Sequence, residues 1–139
     1  MSGRFFLDTN IVLDFLDQER QLNKFAHNLI DFLTQNNSRI FISEDMLSTI
    51  YYIEKSDSRV LTFFTSILKK WDIVPFGLNV IRKAIDFSLV KRVDFEDALQ
   101  LFCAIENDCA IFITNDKSFS NCEMKVLSAK GFLGKYKKQ

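Results

Sequence analysis

Four short acidic stretches lie far apart in the chain, at residues 7–10, 43–45, 94–97 and 114–116. The first and last stretches follow apolar runs that predict buried strands, so Asp8 and Asp116 come after strand ends. In an open α/β sheet, ligands bind outside the carboxyl ends of the strands. Carboxylates that converge there repel one another unless a cation or a proton holds them. The pattern therefore predicts a site for a magnesium-type ion.

Each acid also has a structural explanation when it is taken alone. Asp94 and Asp97 open a predicted helix, where Asp94 would be the cap and Asp97 would interact with the helix dipole. Asp8 and Asp116 are harder to explain in this way, because an uncompensated charge beside a buried strand is costly. Together the acids are typical of a hard divalent cation with oxygen ligands, which activates water for attack on phosphate.

Neutral polar residues stand beside these acids. Thr9 and Asn10 follow Asp8, and Thr114 precedes Asp116 by two positions. Their hydroxyl and amide groups are predicted to orient the metal ligands or the phosphate. Thr9 or Asn10 is also predicted to cap the helix that follows the first strand.

Strands alternate with helices along the chain. Apolar runs predict strands at residues 5–7, 39–42, 72–76, 110–113 and 125–127, and helical periodicity fills the segments between them. This alternation predicts a three-layer α/β/α sandwich with a mostly parallel central sheet, whose right-handed crossovers bring the strand ends to one edge. The chain has no linker or internal repeat, so residues 1–139 are interpreted as a single domain.

Composition excludes several classes of protein. Hydrophobic residues make up 47% of the chain, which favours a large core and argues against disorder. The formal net charge is zero, which argues against tight, nonspecific electrostatic binding of nucleic acid and leaves only local basic segments such as residues 135–138. Cys103, Cys109 and Cys122 lack CxxC spacing, and His27 is the single histidine, so a zinc site is not expected.

The expected location is the cytoplasm. The N-terminus lacks the pattern of a signal peptide, and no run approaches the roughly 20 apolar residues of a membrane span. Phe63 and Phe132 are predicted to be exposed and to suit a partner surface.

Three segments resemble motifs of PIN-domain proteins in order and spacing. They are FLDTNIVLD at residues 6–14, DFEDALQ at residues 94–100 and ITNDKSF at residues 113–119. Residues 42–53 are similar to the corresponding stretch of a PilT-like subgroup, so the resemblance covers essentially the whole chain. It implies a Mg²⁺- or Mn²⁺-dependent endoribonuclease that acts on RNA, as in the toxins of VapBC toxin–antitoxin pairs. It also implies a small antitoxin partner and a homodimer.

The resemblance assigns roles to individual acids. It implies that Asp8, Asp97 and Asp116 are the metal-binding acids and that Asp94 is an accessory catalytic acid at the same pocket.

The chain departs from the family at one position. Many members carry a glutamate at about the position of Thr49, and Asp45, one turn earlier on the same helical face, is the candidate substitute. The departure leaves a second interpretation open, in which the chain is a catalytically weak or inactive PIN-like module that binds RNA or a protein partner.

Overall fold

Five parallel strands form the central sheet in a computed structural model that describes residues 3–55, 57–119 and 124–137. The strand order across the sheet is β3-β2-β1-β4-β5. The strands are β1 (Arg4–Leu7), β2 (Arg39–Ser43), β3 (Asp72–Val74), β4 (Ile111–Ile113) and β5 (Lys125–Leu127). All of them lie where the apolar runs predict strands, and the predicted α/β fold with a parallel sheet is confirmed.

Helices connect the strands. The helices are α1 (Thr9–Leu16), α2 (Asn23–Gln35), α3 (Asp45–Ile53), α4 (Ser58–Ile67), α5 (Gly77–Lys91), α6 (Phe95–Glu106) and α7 (Ala129–Tyr136), and a 3₁₀ turn spans Lys117–Phe119. Helix α2 packs against α1 and α7, whereas α5 packs against α6. The two groups of helices follow from right-handed crossovers. From β1 to β3 each new strand is added on one side of the sheet, whereas β4 and β5 are added on the other side of β1.

The reversal creates a switch point at β1, which pairs with β2 on one side and with β4 on the other. The pairing of β1 with β4 extends one residue further, because the backbone N–H of Asp8 donates to the carbonyl of Ile113 at 3.0 Å. Ligands of open α/β sheets bind at the carboxyl ends of the strands that flank such a point. The crevice above β1 and β4 is therefore the first place to look for a functional site.

Aromatic side chains fill the core on both sides of β1. The rings of Phe6 and Phe112 stack with centroids 5.6 Å apart. Phe132 is fully buried and packs edge-on against Phe5 at 5.2 Å, so the prediction that it is exposed is wrong. The error arises because α7 turns its apolar face toward α2 and the sheet. Phe63 is likewise only partly exposed, since it packs against the ring of Trp71.

The exposed apolar side chains lie elsewhere. Leu89 and Val90 on α5 are the most accessible aliphatic side chains among the described residues, and Tyr52 on α3 is the most accessible aromatic one. Within those same residues, no helix is long and apolar enough to cross a membrane.

Helix caps differ in part from the prediction. Asp8, not Thr9 or Asn10, caps α1, because Asp8 keeps an extended backbone and its carboxylate accepts the N–H of Thr9. Asp94 caps α6 as predicted, by accepting the N–H of Asp97 at 3.1 Å. Asp8, which was predicted to follow a strand, therefore also begins a helix. Cys122 lies outside the described residues.

Candidate active site

Asp8 lies at the carboxyl end of β1, where only 5% of its surface is exposed. One carboxylate oxygen accepts the N–H of Thr9 at 2.8 Å, and the other accepts the hydroxyl of Thr114 at 2.7 Å. Burial raises the pKa of Asp8, and these two hydrogen bonds oppose the effect because they stabilise the carboxylate. The result is a carboxyl group held in one orientation at the switch point.

Thr114 joins two of the acids. Its hydroxyl donates to Asp8 and accepts the backbone N–H of Asp116 at 3.0 Å. The Asp116 carboxylate accepts the N–H of Ser118 at 2.9 Å, which starts the 3₁₀ turn after β4. A single hydroxyl group therefore links the end of β1 to the turn that carries Asp116.

Asp97 reaches the same crevice from the first turn of α6. Burial, together with the charges of neighbouring acids, raises the pKa of its carboxyl group to about 7. These acids are Asp8, Asp94, Asp116 and Glu96. We call the five residues together the acid pocket. Side chains separated by about 90 residues in the sequence thus repel one another across one crevice.

Glu96 belongs to the acid pocket, although the sequence motifs assign it no role. Its side chain lies at the solvent-accessible rim. Partial desolvation and the charges of Asp45 and Asp94 raise its pKa. Glu96 also contributes to the raised pKa of Asp8. A signal for it was present, because Glu96 stands between two acids at the helix start, but the periodicity of α6 alone does not show which side chains face β1.

Asp45 interacts with Glu96, at the edge of the acid pocket. It is exposed in the first turn of α3, and its charge raises the pKa of Glu96 but is not among those that raise the pKa of Asp8 or Asp97. Thr49 is partly exposed one turn later. The role of Asp45 as a substitute acid stays a prediction.

The end of β2 contributes a neutral polar pair, Ser43 and Gln100, that the sequence motifs do not predict. The Ser43 hydroxyl donates to Gln100 Oε1 at 2.7 Å, and both side chains are buried. Gln100 lies one turn after Asp97 on α6, so the hydrogen bond ties the helix that carries Asp97 to the sheet. A polar residue at a buried position of an apolar helix was the available signal.

Two polar atoms next to Asp8 are buried without a partner among the described residues. They are Thr9 Oγ1 and Asn10 Oδ1, and Gln100 Nε2 on α6 is in the same condition. Buried polar atoms nearly always have a partner in protein, water or an ion. Unpaired oxygen atoms beside a carboxylate fit a hydrated divalent cation, which keeps several of its waters.

Among the described residues, no basic side chain forms an ion pair with the acid pocket. The ion pairs formed by the described residues involve Asp14, Asp72, Glu54 and Asp57, all of which lie outside it. The donor set is entirely oxygen, which suits Mg²⁺ or Mn²⁺. However, in the part of the chain that the structure describes, no three acidic, histidine or cysteine side chains are grouped closely enough to hold a metal ion directly. An ion here would have to keep water ligands or draw the carboxylates together.

A family model described as "PIN domain" matches residues 4–118, which include β1, β4 and every residue of the acid pocket. The chain belongs to the PIN-domain family. This confirms the family that the three sequence motifs indicate. The curated protein "Ribonuclease VapC1" of Aquifex aeolicus (strain VF5) is 30% identical to this PIN domain over 135 residues, which cover 94% of each chain.

Solved structures share the fold of this PIN domain at lower identity. A toxin–antitoxin complex from Klebsiella pneumoniae is 17% identical with a TM-score of 0.72, and the alignment covers 89% of this chain and 96% of that chain. VapC20 of Mycobacterium tuberculosis, described as a Sarcin-Ricin loop cleaving toxin, is 13% identical with a TM-score of 0.71, covering 86% and 95%. VapBC2 of Rickettsia felis, bound to promoter DNA, is 18% identical with a TM-score of 0.69, covering 90% and 98%.

Proposed function

We propose that this PIN domain is a divalent-metal-dependent endoribonuclease and the toxin of a toxin–antitoxin pair. The observation that supports the proposal is the acid pocket, in which the charges of Asp8 after β1 and of Asp116 after β4 raise the pKa of Asp97 on α6, and in which no acid has an ion-pair partner among the described residues. The name of the ribonuclease relative supports the same activity. The toxin–antitoxin complexes among the solved structures support the same biological setting.

Asp8, Asp97 and Asp116 are the residues that would hold a Mg²⁺ or Mn²⁺ ion, with Asp94 and Glu96 adding negative charge nearby. When bound, such an ion lowers the pKa of water and offsets the charge that builds on the phosphoryl oxygens of RNA. The chain's own contribution is to orient the carboxylates. Thr114 holds that of Asp8, and the cap at Asp94 anchors the turn of α6 that carries Asp97.

Electrostatics explain why a cation is needed. The acid pocket disfavours full ionisation, as the raised pKa values of Asp8 and Asp97 indicate. A phosphodiester adds a further negative charge and would be repelled by the same carboxylates. A divalent ion held by these carboxylates would offset both penalties, so metal and RNA binding should be coupled.

Cleavage of single-stranded RNA tests the proposal. Purified protein is incubated with RNA in Mg²⁺, in Mn²⁺ or in EDTA, next to Asp8→Asn and Asp97→Asn variants. We expect metal-dependent cleavage, and a loss of about 100-fold or more in each variant. Asp31→Asn is the matched control, because Asp31 is exposed on α2 outside the acid pocket. Equal cleavage by all four proteins, or cleavage unaffected by EDTA, would contradict the proposal.

A second candidate function is an inactive PIN-like module that binds RNA or a protein partner. Two observations favour it, namely the absence of an acid at Thr49 and the absence of a tight three-ligand group among the described residues. Calorimetric titration with Mn²⁺ separates the candidates. Binding that is lost in Asp97→Asn supports the nuclease, whereas a wild-type protein that binds RNA but no Mn²⁺ supports the inactive module.

The proposed antitoxin partner is tested in cells. Expression of the wild-type chain alone should arrest growth, and Asp8→Asn should not. Co-expression of a small protein from an adjoining reading frame should restore growth and co-purify with the chain. The homodimer that the family resemblance implies stays a prediction, which sedimentation equilibrium of the purified protein can test.

A further inference from the structure

A cavity of about 350 Å³ adjoins the acid pocket on the side of β5. It lies between the turn after β4 and the start of α7, and it shares Thr114 and Asp116 with the catalytic crevice. Its volume falls at the lower end of the roughly 300–1,000 Å³ typical of small-ligand sites. A group bound there would touch the same turn that carries Asp116, so it would lie next to the phosphate being cleaved.

The wall of this cavity is held in place by contacts with two helices. The Asn115 amide donates to Asp14 on α1 at 3.3 Å, and its carbonyl oxygen accepts the N–H of Ala129 on α7 at 3.2 Å. Asp14 is 5% exposed, and its other oxygen accepts from Arg20 Nε at 2.8 Å. A site fixed by such contacts loses little conformational entropy when a ligand binds.

The lining combines an apolar base with a polar rim. Phe119 is buried beneath the cavity and Val126 of β5 is partly buried beside it. Ser128 and Lys117 also line the cavity, and both are exposed. Lys117 directly follows Asp116 and supplies the positive charge of the lining. Apolar surface suits the face of a nucleobase, and an ammonium group suits a phosphate.

We propose that this cavity holds one ribonucleotide of the RNA, adjacent to the scissile phosphate, with Lys117 facing the phosphate of that nucleotide. The inference rests on the proposed ribonuclease function and adds a binding site to it. Such a site would also explain how a chain without net charge binds RNA. The chain has no net charge, so general attraction cannot hold RNA against the acid pocket, and local contacts have to position the strand.

Steady-state cleavage of single-stranded RNA tests the role of Lys117. We expect Lys117→Ala to raise KM about tenfold with kcat changed less than twofold, because a lost charge-assisted contact weakens binding rather than chemistry. Lys117→Arg should restore KM to within about threefold of the wild-type value. Lys130→Ala is the matched control, since Lys130 is exposed on α7 and does not line the cavity. It should leave both constants unchanged.

Nucleotide binding tests the cavity independently of cleavage. Ribonucleoside 5′-monophosphates and inorganic phosphate are titrated in EDTA, with NMR detection of the backbone signals of Val126 and Ser128. We expect the nucleotides to bind more tightly than phosphate, and Val126→Phe, which fills the cavity, to weaken them about tenfold. Lys117→Ala should weaken them similarly, so the test does not depend on the folding of Val126→Phe.

Each outcome separates this inference from the proposed function. If the wild-type protein cleaves RNA and Lys117→Ala leaves KM unchanged, the inference is wrong and the nuclease stands. Equal affinity for phosphate and nucleotides overturns the nucleobase site. If wild-type protein cleaves no RNA but binds nucleotides in a Val126- and Lys117-dependent way, the nuclease proposal fails and the nucleotide site stands.

Discussion

Replacement of Asp97 by asparagine should stabilise the metal-free protein at neutral and basic pH. In the native state, burial and the neighbouring acids raise the pKa of this carboxyl group from 3.8 to about 7. In the unfolded chain the pKa of Asp97 returns to the ordinary value of 3.8. Between about pH 4 and pH 7 the unfolded state is therefore ionised while the native state holds a proton. Wild-type stability falls as the pH rises through this window, and the loss is complete above pH 7.

The magnitude follows from the size of the shift. A rise from 3.8 to about 7 corresponds at most to about 4 kcal/mol at 1.36 kcal/mol per pH unit. Asp97 is only half-buried, so solvent reduces the cost of both burial and charge repulsion, and we expect a stabilisation of about 1–2 kcal/mol. For a chain of this length the change in the melting temperature should be about 3–8 °C.

Thermal unfolding followed by circular dichroism measures the effect. Wild type, Asp97→Asn and the control Asp31→Asn are compared at pH 4 and pH 8 in EDTA. We expect Asp97→Asn to have a higher melting temperature than wild type at pH 8, and a much smaller increase over wild type at pH 4. Added Mg²⁺ at pH 8 should stabilise wild type more than the variant, because only the native wild-type pocket gains the full ion affinity.

Two results would refute the reasoning. One is a gain in melting temperature at pH 8 that does not exceed the gain at pH 4, which would mean that burial and the neighbouring acids do not raise the pKa of Asp97 in the native state. The other is an equal increase in the melting temperature of Asp31→Asn at pH 8, which would assign the effect to net charge and not to the acid pocket.

Further predictions concern the hydrogen bonds, the core and the thiols. Thr114→Val removes the hydroxyl that donates to Asp8, so we expect a higher pKa for Asp8 and a loss of about 1–3 kcal/mol in urea denaturation, with Thr114→Ser close to wild type. Phe132→Ala should cost about 3–5 kcal/mol in the same assay, because the ring is fully buried, and a loss below 1 kcal/mol would contradict its position. Burial raises the thiol pKa of Cys103 and Cys109 to about 12, so iodoacetamide at pH 8 should label both much more slowly in native than in unfolded protein, as mass mapping of the peptides can measure.

Much of the fold could be predicted from local patterns. The runs Phe5–Leu7 and Ile111–Ile113 are apolar throughout, as expected for strands buried on both faces of a parallel sheet. Strand β5 was harder to predict because it begins with the charged, exposed Lys125 and lies partly exposed at the edge of the sheet. The alternation of strands with helices then limits the connections to right-handed crossovers, which is why the acids could be expected at one edge.

The order of residues along the chain thus determined the family and the parallel sheet, in which Asp8 and Asp116 follow the neighbouring strands β1 and β4, because local periodicity and crossover handedness are properties of short segments. Only the tertiary structure decided which acids face one another. The packing of α6 and α3 against β2 brings Glu96 into the acid pocket and leaves Asp45 at its edge. The hydrogen bond from Thr114 to Asp8 joins residues 106 positions apart, and the docking of α7 buries Phe132. Such contacts depend on how whole elements pack, and the spacing of residues within one element does not specify that packing.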